Sequence, residues 1–267
     1  MIAEIIFMNI KGEKMNRLYK GDCLEIMEQL PKNFIDCVIC DLPYGLTKET
    51  WDTIIPFDLL WKNYERIVKD NGAIVLFAQE PFASQLRISN IKNYKYDIYW
   101  EKERLTNIAQ VKKRVGKTVE NIIIFYKKQC TYNPQMIKYE GPKRTNKVKN
   151  GKIGKLADNQ EKKVKEYNDT GYRYPTQVWK FQRDCLKSNL HPTQKPLALC
   201  ENLIKTFSNE GDVILDNCSG SGTTLLAAIK NNRKFIGIEK NSDFFLLSKN
   251  RLISEGFTDF TCVEGEE

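Results

Sequence analysis

The chain has few of the side chains that metal sites and nucleophilic sites most often use, because its 267 residues contain a single histidine, His191. Cys37 and Cys40 make the only C-x-x-C pair, and they fall inside a predicted strand, where residues three apart point to opposite faces. The other six cysteines are scattered singly: Cys23, Cys130, Cys185, Cys200, Cys218 and Cys262. The sequence therefore predicts no structural metal and no cysteine–histidine nucleophile, and we expect reduced, mostly buried thiols.

Long apolar runs are also missing. No stretch approaches the roughly 20 apolar residues of a membrane-spanning helix, and the apolar start of the chain is too short for a secretory signal. Residues 1–14 are interpreted as an N-terminal extension, because Met15 can serve as an alternative start. With 41% hydrophobic and 28% charged residues, the composition is ordinary for a cytoplasmic protein without a membrane partner.

Positive charge is concentrated in one part of the chain. The formal net charge is +8, and residues 101–189 hold 22 of the 42 Lys and Arg residues but 9 of the 34 Asp and Glu residues. Tyr, Trp and Phe residues are interleaved with these charges, which suits contacts with phosphates and bases. The alternative is an ordinary solvated, lysine-rich face. We favour nucleic acid, and the expected DNA contacts are Lys143, Arg144, Lys147 and Lys149.

Regular α/β periodicity surrounds an irregular segment. Residues 129–189 show no sustained periodicity, whereas strand and helix patterns alternate from Val213 onward. This alternation is typical of βαβ units and of a mostly parallel, twisted sheet with helices on both faces. The sequence thus predicts an α/β fold with one catalytic domain, made of residues 15–128 and 190–256, and a target-recognition insertion at 129–189.

Two short polar motifs each follow a predicted buried strand. Asp41-Leu42-Pro43-Tyr44-Gly45 comes after the apolar run 35–40, and Asp216 to Thr224 comes after Val213-Ile214-Leu215. Open parallel sheets bind ligands just outside the carboxyl ends of their strands. We therefore expect both motifs at one edge of the sheet, where the first could hold an amine on a flat ring and the second could admit a cofactor.

The second motif has the features of a cofactor loop. Gly220 and Gly222 allow close backbone approach at a helix N-terminus, and Glu239 ends the next strand, where an acid can bind ribose hydroxyls. A dinucleotide fingerprint needs a third glycine at the position of Leu225, which argues against a nicotinamide oxidoreductase. Asp216 would repel a pyrophosphate but suits an ammonium group. These features favour S-adenosylmethionine.

The order of the motifs resembles that of the β-class DNA amino-methyltransferases. The matching motifs are Gly21-Asp22-Cys23-Leu24, Asp41 to Gly45, Thr118-Val119-Glu120-Asn121, His191 to Pro196, and Asp216 to Thr224. The chain departs from the family pattern at Leu42, in place of a first proline, and at Asn217-Cys218, in place of Pro-Phe. The resemblance implies a Rossmann-like methyltransferase fold, a bacterial or phage origin, S-adenosylmethionine as cofactor, and a role in DNA methylation within restriction-modification.

The resemblance also implies roles for individual residues. Asp41 and the carbonyl of Leu42 would accept hydrogen bonds from the target amine of double-stranded DNA. Pro43 would stiffen the loop and Tyr44 would stack on a flipped base. An acid at position 41 favours the 6-amino group of adenine as the target. The implied cofactor residues are Asp22 at the adenine end, Glu239 at the ribose, Asp216, Gly220, Gly222 and Thr223 at the methionine end, Lys195 in the element that closes the pocket, and Cys23 and Cys218 beside them.

Several alternatives stay open at the level of the sequence. The first is methylation of the 4-amino group of cytosine, and a less favoured one is transfer to RNA or to a protein glutamine. A catalytically silent nucleic-acid-binding module would be expected to lose Asp41 or the glycine pair, and both are present. The recognition sequence, a cognate restriction enzyme and the oligomeric state, a homodimer included, are not fixed by the sequence.

Overall fold

A computed structural model describes residues 16–47, 49, 52–141, 169–184 and 194–264. Within these ranges no helix is both long enough and apolar enough to cross a membrane. No group of His, Cys, Asp and Glu side chains in the same ranges has an arrangement that could hold a metal ion. Several predicted features lie outside the described residues, namely the extension at 1–14, His191, and the DNA contacts Lys143, Arg144, Lys147 and Lys149.

The described residues form eleven strands and six α-helices. The strands are β1 (Arg17–Lys20), β2 (Ile35–Asp41), β3 (Val68–Ala78), β4 (Tyr94–Glu101), β5 (Val119–Phe125), β6 (Ile137–Lys138), β7 (Tyr172–Arg173), β8 (Val178–Lys180), β9 (Val213–Asp216), β10 (Lys234–Glu239) and β11 (Thr261–Glu264). The helices are α1 (Cys23–Gln29), α2 (Phe57–Ile67), α3 (Phe82–Ser89), α4 (Leu197–Phe207), α5 (Thr223–Lys230) and α6 (Ser242–Ser254).

Nine strands form one sheet in the order β11-β1-β10-β9-β2-β3-β5-β4-β8. The strands from β11 to β3 run parallel, β5 is antiparallel to both of its neighbours, and β8 runs parallel to β4. From β9 the chain moves outward through β10, whereas from β2 it moves in the opposite direction through β3. The loops that follow these two neighbouring strands therefore diverge and leave a crevice at their carboxyl ends.

Two hydrophobic cores lie on the two faces of the sheet. Along β2, Val38 and Cys40 belong to the core packed against α1, α2 and α3, whereas Cys37 and Ile39 belong to the core packed against α4, α5 and α6. Alternation of this kind marks a strand that is buried on both sides. The prediction that Cys37 and Cys40 point to opposite faces is confirmed, and the cysteines within the described ranges are free thiols.

The boundary between α2 and β3 differs from the sequence prediction. The pattern predicts a helix that runs to Lys69 and is capped by Asp70-Asn71-Gly72, but the helix ends at Ile67 and the next residues begin β3. Gly72 is required there for space rather than for a turn, because a Cβ would collide with the Val68 side chain and with a carbonyl of β2. A glycine after a helical pattern is therefore read wrongly as a cap when a strand passes close to it.

Residues 134–141 and 169–176 belong to a second compact unit, 134–176. Within this unit, β6 and β7 make an antiparallel pair. Arg173 forms an ion pair with Asp169 at 2.7 Å, and its guanidinium group lies 4.3 Å from the centre of the Tyr139 ring. The other unit resumes at Gln177, so that β8 joins the large sheet although the sequence pattern predicts an irregular segment up to 189. The edge strand β11 was likewise not predicted.

Candidate active site

A cleft opens at the carboxyl ends of β2 and β9. Its volume is about 940 Å³, near the upper end of the roughly 300–1,000 Å³ range of ligand pockets. Ten of the thirteen predicted catalytic and cofactor residues line it: Asp22, Cys23, Asp41, Leu42, Pro43, Tyr44, Lys195, Cys218, Gly220 and Glu239. The other three do not line it, because Asp216 and Thr223 are buried and Gly222 is the N-cap of α5.

Asp216 ends β9 as a buried carboxyl group whose hydrogen-bond donors are neutral. These donors are the Cys218 amide, at 3.2 Å, the Thr224 hydroxyl and the Cys40 thiol. Burial raises the pKa of Asp216 to about 7, and the hydrogen bonds oppose that rise only in part. A neighbouring cation, such as an ammonium group, would stabilise the ionised form of this carboxyl group.

The two glycines between β9 and α5 meet different requirements. Gly220, with φ +49°, borders open space, because a Cβ at this position would meet no atom within 4 Å. Gly222, with φ +73°, lies against α6, because a Cβ there would collide with the Ser248 hydroxyl. Gly220 thus leaves room for a ligand in the cleft, and Gly222 lets the start of α5 approach α6.

Glu239 ends β10 and holds the glycine loop in place. Its Oε2 accepts a hydrogen bond of 2.7 Å from the Gly220 amide, and its Oε1 accepts one of 2.8 Å from the Asn241 amide. Burial raises the pKa of Glu239. Each carboxylate oxygen can accept a second hydrogen bond, and the side chain faces the cleft. Glu239 is therefore placed to bind hydroxyl groups of a ligand.

Asp22 caps α1 beside the cleft. Its Oδ1 accepts a 2.9 Å hydrogen bond from the Leu24 amide, and its Oδ2 lies 3.1 Å from the Lys240 ammonium. The adjacent Cys23 thiol is hydrogen-bonded to that of Cys218. This hydrogen bond and burial raise the pKa of Cys23 well above its usual range, so that the thiol is protonated at neutral pH.

Asp41 ends β2, and both of its carboxylate oxygens accept hydrogen bonds from side chains. Oδ1 accepts one of 2.6 Å from the Tyr44 hydroxyl, and Oδ2 accepts one of 2.6 Å from the Lys195 ammonium. The Asp41 side chain is 32% exposed, so that a substrate can reach it. The Tyr44 ring packs on Phe82, with ring centroids 5.2 Å apart. Tyr44 is therefore placed to orient Asp41, and its stacking on a flipped base stays a prediction.

A second carboxylate, Glu120 of β5, completes this cluster. Glu120 is 1% exposed, pairs with Lys195 at 3.0 Å and with Lys102 at 2.6 Å, and lies 3.1 Å from the Tyr44 hydroxyl. Burial acts to raise the pKa of Glu120, but the two lysines outweigh it and hold the pKa at about 2. Burial acts to lower the pKa of Lys195, but Asp41 and Glu120 raise it above its ordinary value. Glu120 and Lys195 are thus both ionised at neutral pH.

The loop after Tyr44 is held by Asp52, which was not predicted as a site residue. Its Oδ1 accepts hydrogen bonds from the amides of Tyr44 and Gly45 at 2.8 and 2.9 Å. Its Oδ2 accepts hydrogen bonds from the amides of Leu46 and Thr47 at 2.9 and 2.7 Å. Burial acts to raise the pKa of Asp52, but these hydrogen bonds lower it on balance. One buried carboxylate thereby fixes the backbone that follows the acceptor motif.

Comparison with known proteins finds relatives of this chain among DNA methyltransferases. The DNA methylase family N6_N4_Mtase matches residues 35–250. DNA adenine methyltransferase YhdJ of Escherichia coli (strain K12) is 30% identical over 258 residues, which cover 90% of this chain and 84% of YhdJ. Type II methyltransferase M1.MboII of Moraxella bovis is 28% identical over 254 residues, covering 86% of this chain and 94% of M1.MboII. The crystal structure of the M1.HpyAVI–SAM complex has a TM-score of 0.57 and 26% identity, covering 88% of this chain and 98% of M1.HpyAVI.

The chain belongs to the DNA methylase family. This result confirms the resemblance found in the motifs, the Rossmann-like methyltransferase fold, and the expectation of an S-adenosylmethionine-dependent enzyme that methylates DNA. The roles of individual residues and the homodimer remain predictions.

Proposed function

We propose that the chain transfers the methyl group of S-adenosylmethionine to the 6-amino group of adenine in double-stranded DNA, in the cytoplasm of its host. The observation that carries this proposal is that β2 and β9 are neighbours, so that Asp41 and the glycine loop after Asp216 open into one cleft. YhdJ, which is 30% identical to this chain, is a DNA adenine methyltransferase, and this similarity supports adenine as the target.

The residues around the cleft fit S-adenosylmethionine. Asp216 does not line the cleft, but it is buried beside Cys218, which does, and with its neutral donors it suits the ammonium group of the cofactor. Glu239 has acceptor capacity for ribose hydroxyls, and the open space at Gly220 admits the methionine backbone. When bound, the cofactor supplies a methyl group on a positively charged sulfur. An uncharged nucleophile can accept this methyl group, and the sulfur then leaves as a neutral thioether.

Asp41 acts on the nucleophile. The lone pair of an exocyclic amine is delocalised into the base, so that the amine attacks poorly. A hydrogen bond to Asp41, with a second to the Leu42 carbonyl, favours a pyramidal nitrogen whose lone pair points at the methyl group. Asp41 also stabilises the positive charge that develops on this nitrogen and is placed to accept the proton that the methylated amine loses. Fixed orientation of the two reactants supplies much of the rate.

The 4-amino group of cytosine is the alternative target, because a carboxylate polarises either amine. Mass spectrometry of nucleosides from DNA treated with the enzyme decides between the two bases. N6-methyladenine is the expected product, and 4-methylcytosine without methyladenine would overturn the adenine assignment. DNA treated with an Asp41→Ala variant is the control for methylation that the host itself introduces.

Removal of the Glu239 carboxylate should weaken cofactor binding. We expect Glu239→Ala to lose about 1–3 kcal/mol of binding free energy for S-adenosylmethionine, because buried hydrogen bonds to the ribose and to the Gly220 loop are removed. Titration calorimetry measures the change, and Glu210→Ala, at an exposed site, is the matched control. Unchanged affinity in Glu239→Ala, or tight binding of NAD instead, would contradict the assigned pocket.

Two basic segments are expected to bind the DNA backbone. The loop between β4 and β5 borders the cleft through Lys102 and Thr106, and its exposed cations are Arg104, Lys112, Lys113 and Arg114. The other segment contains Lys143, Arg144, Lys147 and Lys149. Because each phosphate contact releases counterions, replacing either set of four with serine should lower DNA affinity and reduce the slope of log K against log salt by up to about 0.9 per lost contact.

The control for these variants removes four exposed lysines that do not line the cleft, namely Lys62, Lys92, Lys127 and Lys128. We expect this control to keep the DNA affinity and the salt slope of the unaltered enzyme. If a basic-segment variant matched the control in both quantities, that segment would be an ordinary solvated surface.

A further inference from the structure

Lys195 is shared between two carboxylates. Its ammonium lies 2.6 Å from Asp41 Oδ2 and 3.0 Å from Glu120 Oε1. The same nitrogen lies 5.1 Å from the centre of the Phe77 ring and 5.8 Å from that of the Tyr44 ring. The faces of aromatic rings attract a cation. The ammonium is therefore held between the two acceptors and needs to move by only a few tenths of an ångström to favour either one.

The Tyr44 hydroxyl is shared between the same two carboxylates. It lies 2.6 Å from Asp41 Oδ1 and 3.1 Å from Glu120 Oε1. A hydroxyl has a single hydrogen to donate, so that Tyr44 serves one carboxylate at a time. In the arrangement seen here, both shared donors are nearer to Asp41, which faces the cleft, than to Glu120, which is buried.

This arrangement is unfavourable for the reaction under the proposed function. Positive charge develops on the acceptor nitrogen during methyl transfer, and an ammonium bonded to Asp41 withdraws the charge that should stabilise it. Glu120 provides another place for that ammonium. Glu120 is already ionised and held by Lys102. The cluster therefore contains the same two carboxylates and two ammonium groups before and after Lys195 moves toward Glu120.

We propose that Glu120 is a positioning residue of the methyl-transfer reaction: it draws the Lys195 ammonium and the Tyr44 hydroxyl away from Asp41, and Asp41 then meets the target amine with its negative charge unshared. The inference rests on the proposed function, because it needs an amine as the methyl acceptor. It does not depend on whether that amine belongs to adenine or cytosine.

The test compares Glu120→Gln, Lys195→Gln and the double variant in single-turnover methylation of duplex DNA at saturating cofactor. We expect Glu120→Gln to lower the rate about 10- to 100-fold, because Lys195 then stays on Asp41. A separate titration of the cofactor should show little change in its affinity. The double variant should be faster than Glu120→Gln, because the cation that remains on Asp41 is gone. Glu255→Gln, remote from the cluster and paired with Lys230, is the matched control.

The pH dependence separates this role from a merely structural one. In Glu120→Gln, Lys195 has one counter-charge fewer, and its deprotonation at alkaline pH should free Asp41, so that the rate rises with pH. The double variant should lack this rise. The charged and titratable groups around Lys195 in the described residues are Asp41, Tyr44, Glu120, Lys102 and Cys200.

The outcomes are distinguishable. A Glu120→Gln enzyme with an unaltered rate, or a slow one whose pH profile matches that of the double variant, would overturn the inference while leaving DNA methylation in place. Failure of the unaltered enzyme to methylate DNA would overturn the proposed function instead. If Glu120→Gln does not unfold cooperatively, Glu120→Asp is used instead, because it keeps the charge but places the carboxylate farther from Lys195. An unaltered rate in Glu120→Asp would then reject the positioning role.

Discussion

Methyl transfer should fall at least about 10³-fold when Asp41 is replaced by alanine, while the binding of cofactor and DNA stays nearly unchanged. The reason is that Asp41 polarises the amine and stabilises charge that exists mainly in the transition state. Single-turnover transfer of a labelled methyl group to duplex DNA measures the rate, and titration calorimetry measures cofactor affinity.

Two further variants serve as comparisons for Asp41→Ala. Asp41→Asn keeps the shape of the side chain but not the charge, so it should be nearly as slow as the alanine variant. Asp58→Ala, at an exposed position in the first turn of α2, should match the unaltered enzyme. An active Asp41→Ala enzyme would reject the mechanism, and an inactive one that has also lost cofactor binding would show damage to the whole cleft.

Replacing Asp216 by asparagine should have opposite effects on binding and stability. We expect S-adenosylmethionine affinity to fall on the order of 100-fold or more, because the ammonium group loses its buried counter-charge. In the unaltered enzyme the pKa of Asp216 is raised to about 7 by burial. Cofactor affinity should therefore weaken as the pH falls below about 7, and this dependence should disappear in Asp216→Asn.

The sign of the stability effect follows from the same pKa. The usual pKa of an aspartate is 3.8 and that of Asp216 in the folded protein is about 7, so that between these values the folded state holds a proton that the unfolded state has lost. The contribution of Asp216 to the free energy of unfolding therefore falls as the pH rises from about 4 to about 7, and it is constant above that range.

Asparagine does not ionise, so Asp216→Asn should be more stable than the unaltered protein at about pH 8 by a few kcal/mol, and the gain should shrink toward about pH 4. Urea unfolding without cofactor at several pH values measures this difference. Asp243→Asn, at an exposed position on α6, is the control. A gain in stability that is the same at every pH would contradict the pKa argument.

Much of the fold and of the cofactor pocket can be predicted from short sequence patterns. The two motifs are recognisable because each joins a buried strand to glycine or turn residues, and parallel strands bring such ends together. The sequence pattern also predicts a helix over 197–207, and the structure has a helix with these bounds, Leu197–Phe207. Glu239 was assigned to the cofactor because an acid at a strand end can bind ribose hydroxyls, and Asp216 because it would repel a pyrophosphate but suits an ammonium group.

Sequence reasoning gave no role to two residues of the site, Glu120 and Asp52. Glu120 lies in the family motif Thr118 to Asn121, but only the folded sheet brings it to Lys102 and Lys195. Asp52 binds amides within its own loop, yet an acid in a loop is too common to stand out. Both residues are recognised by their hydrogen bonds and burial, which no local pattern reports.

The points where the unit 134–176 leaves the rest of the chain are firmly anchored. On one side, the Asn133 amide donates a 2.8 Å hydrogen bond to the Thr206 carbonyl. On the other, Gln177 accepts a 2.7 Å hydrogen bond from the Tyr99 amide and donates one of 3.2 Å to the Asp97 carbonyl. We predict that the intervening segment contains the target-recognition region and can be exchanged as a unit. Chimaeras that splice a relative's segment between these two fixed ends should keep the methyl-transfer chemistry and acquire the donor's choice of DNA site.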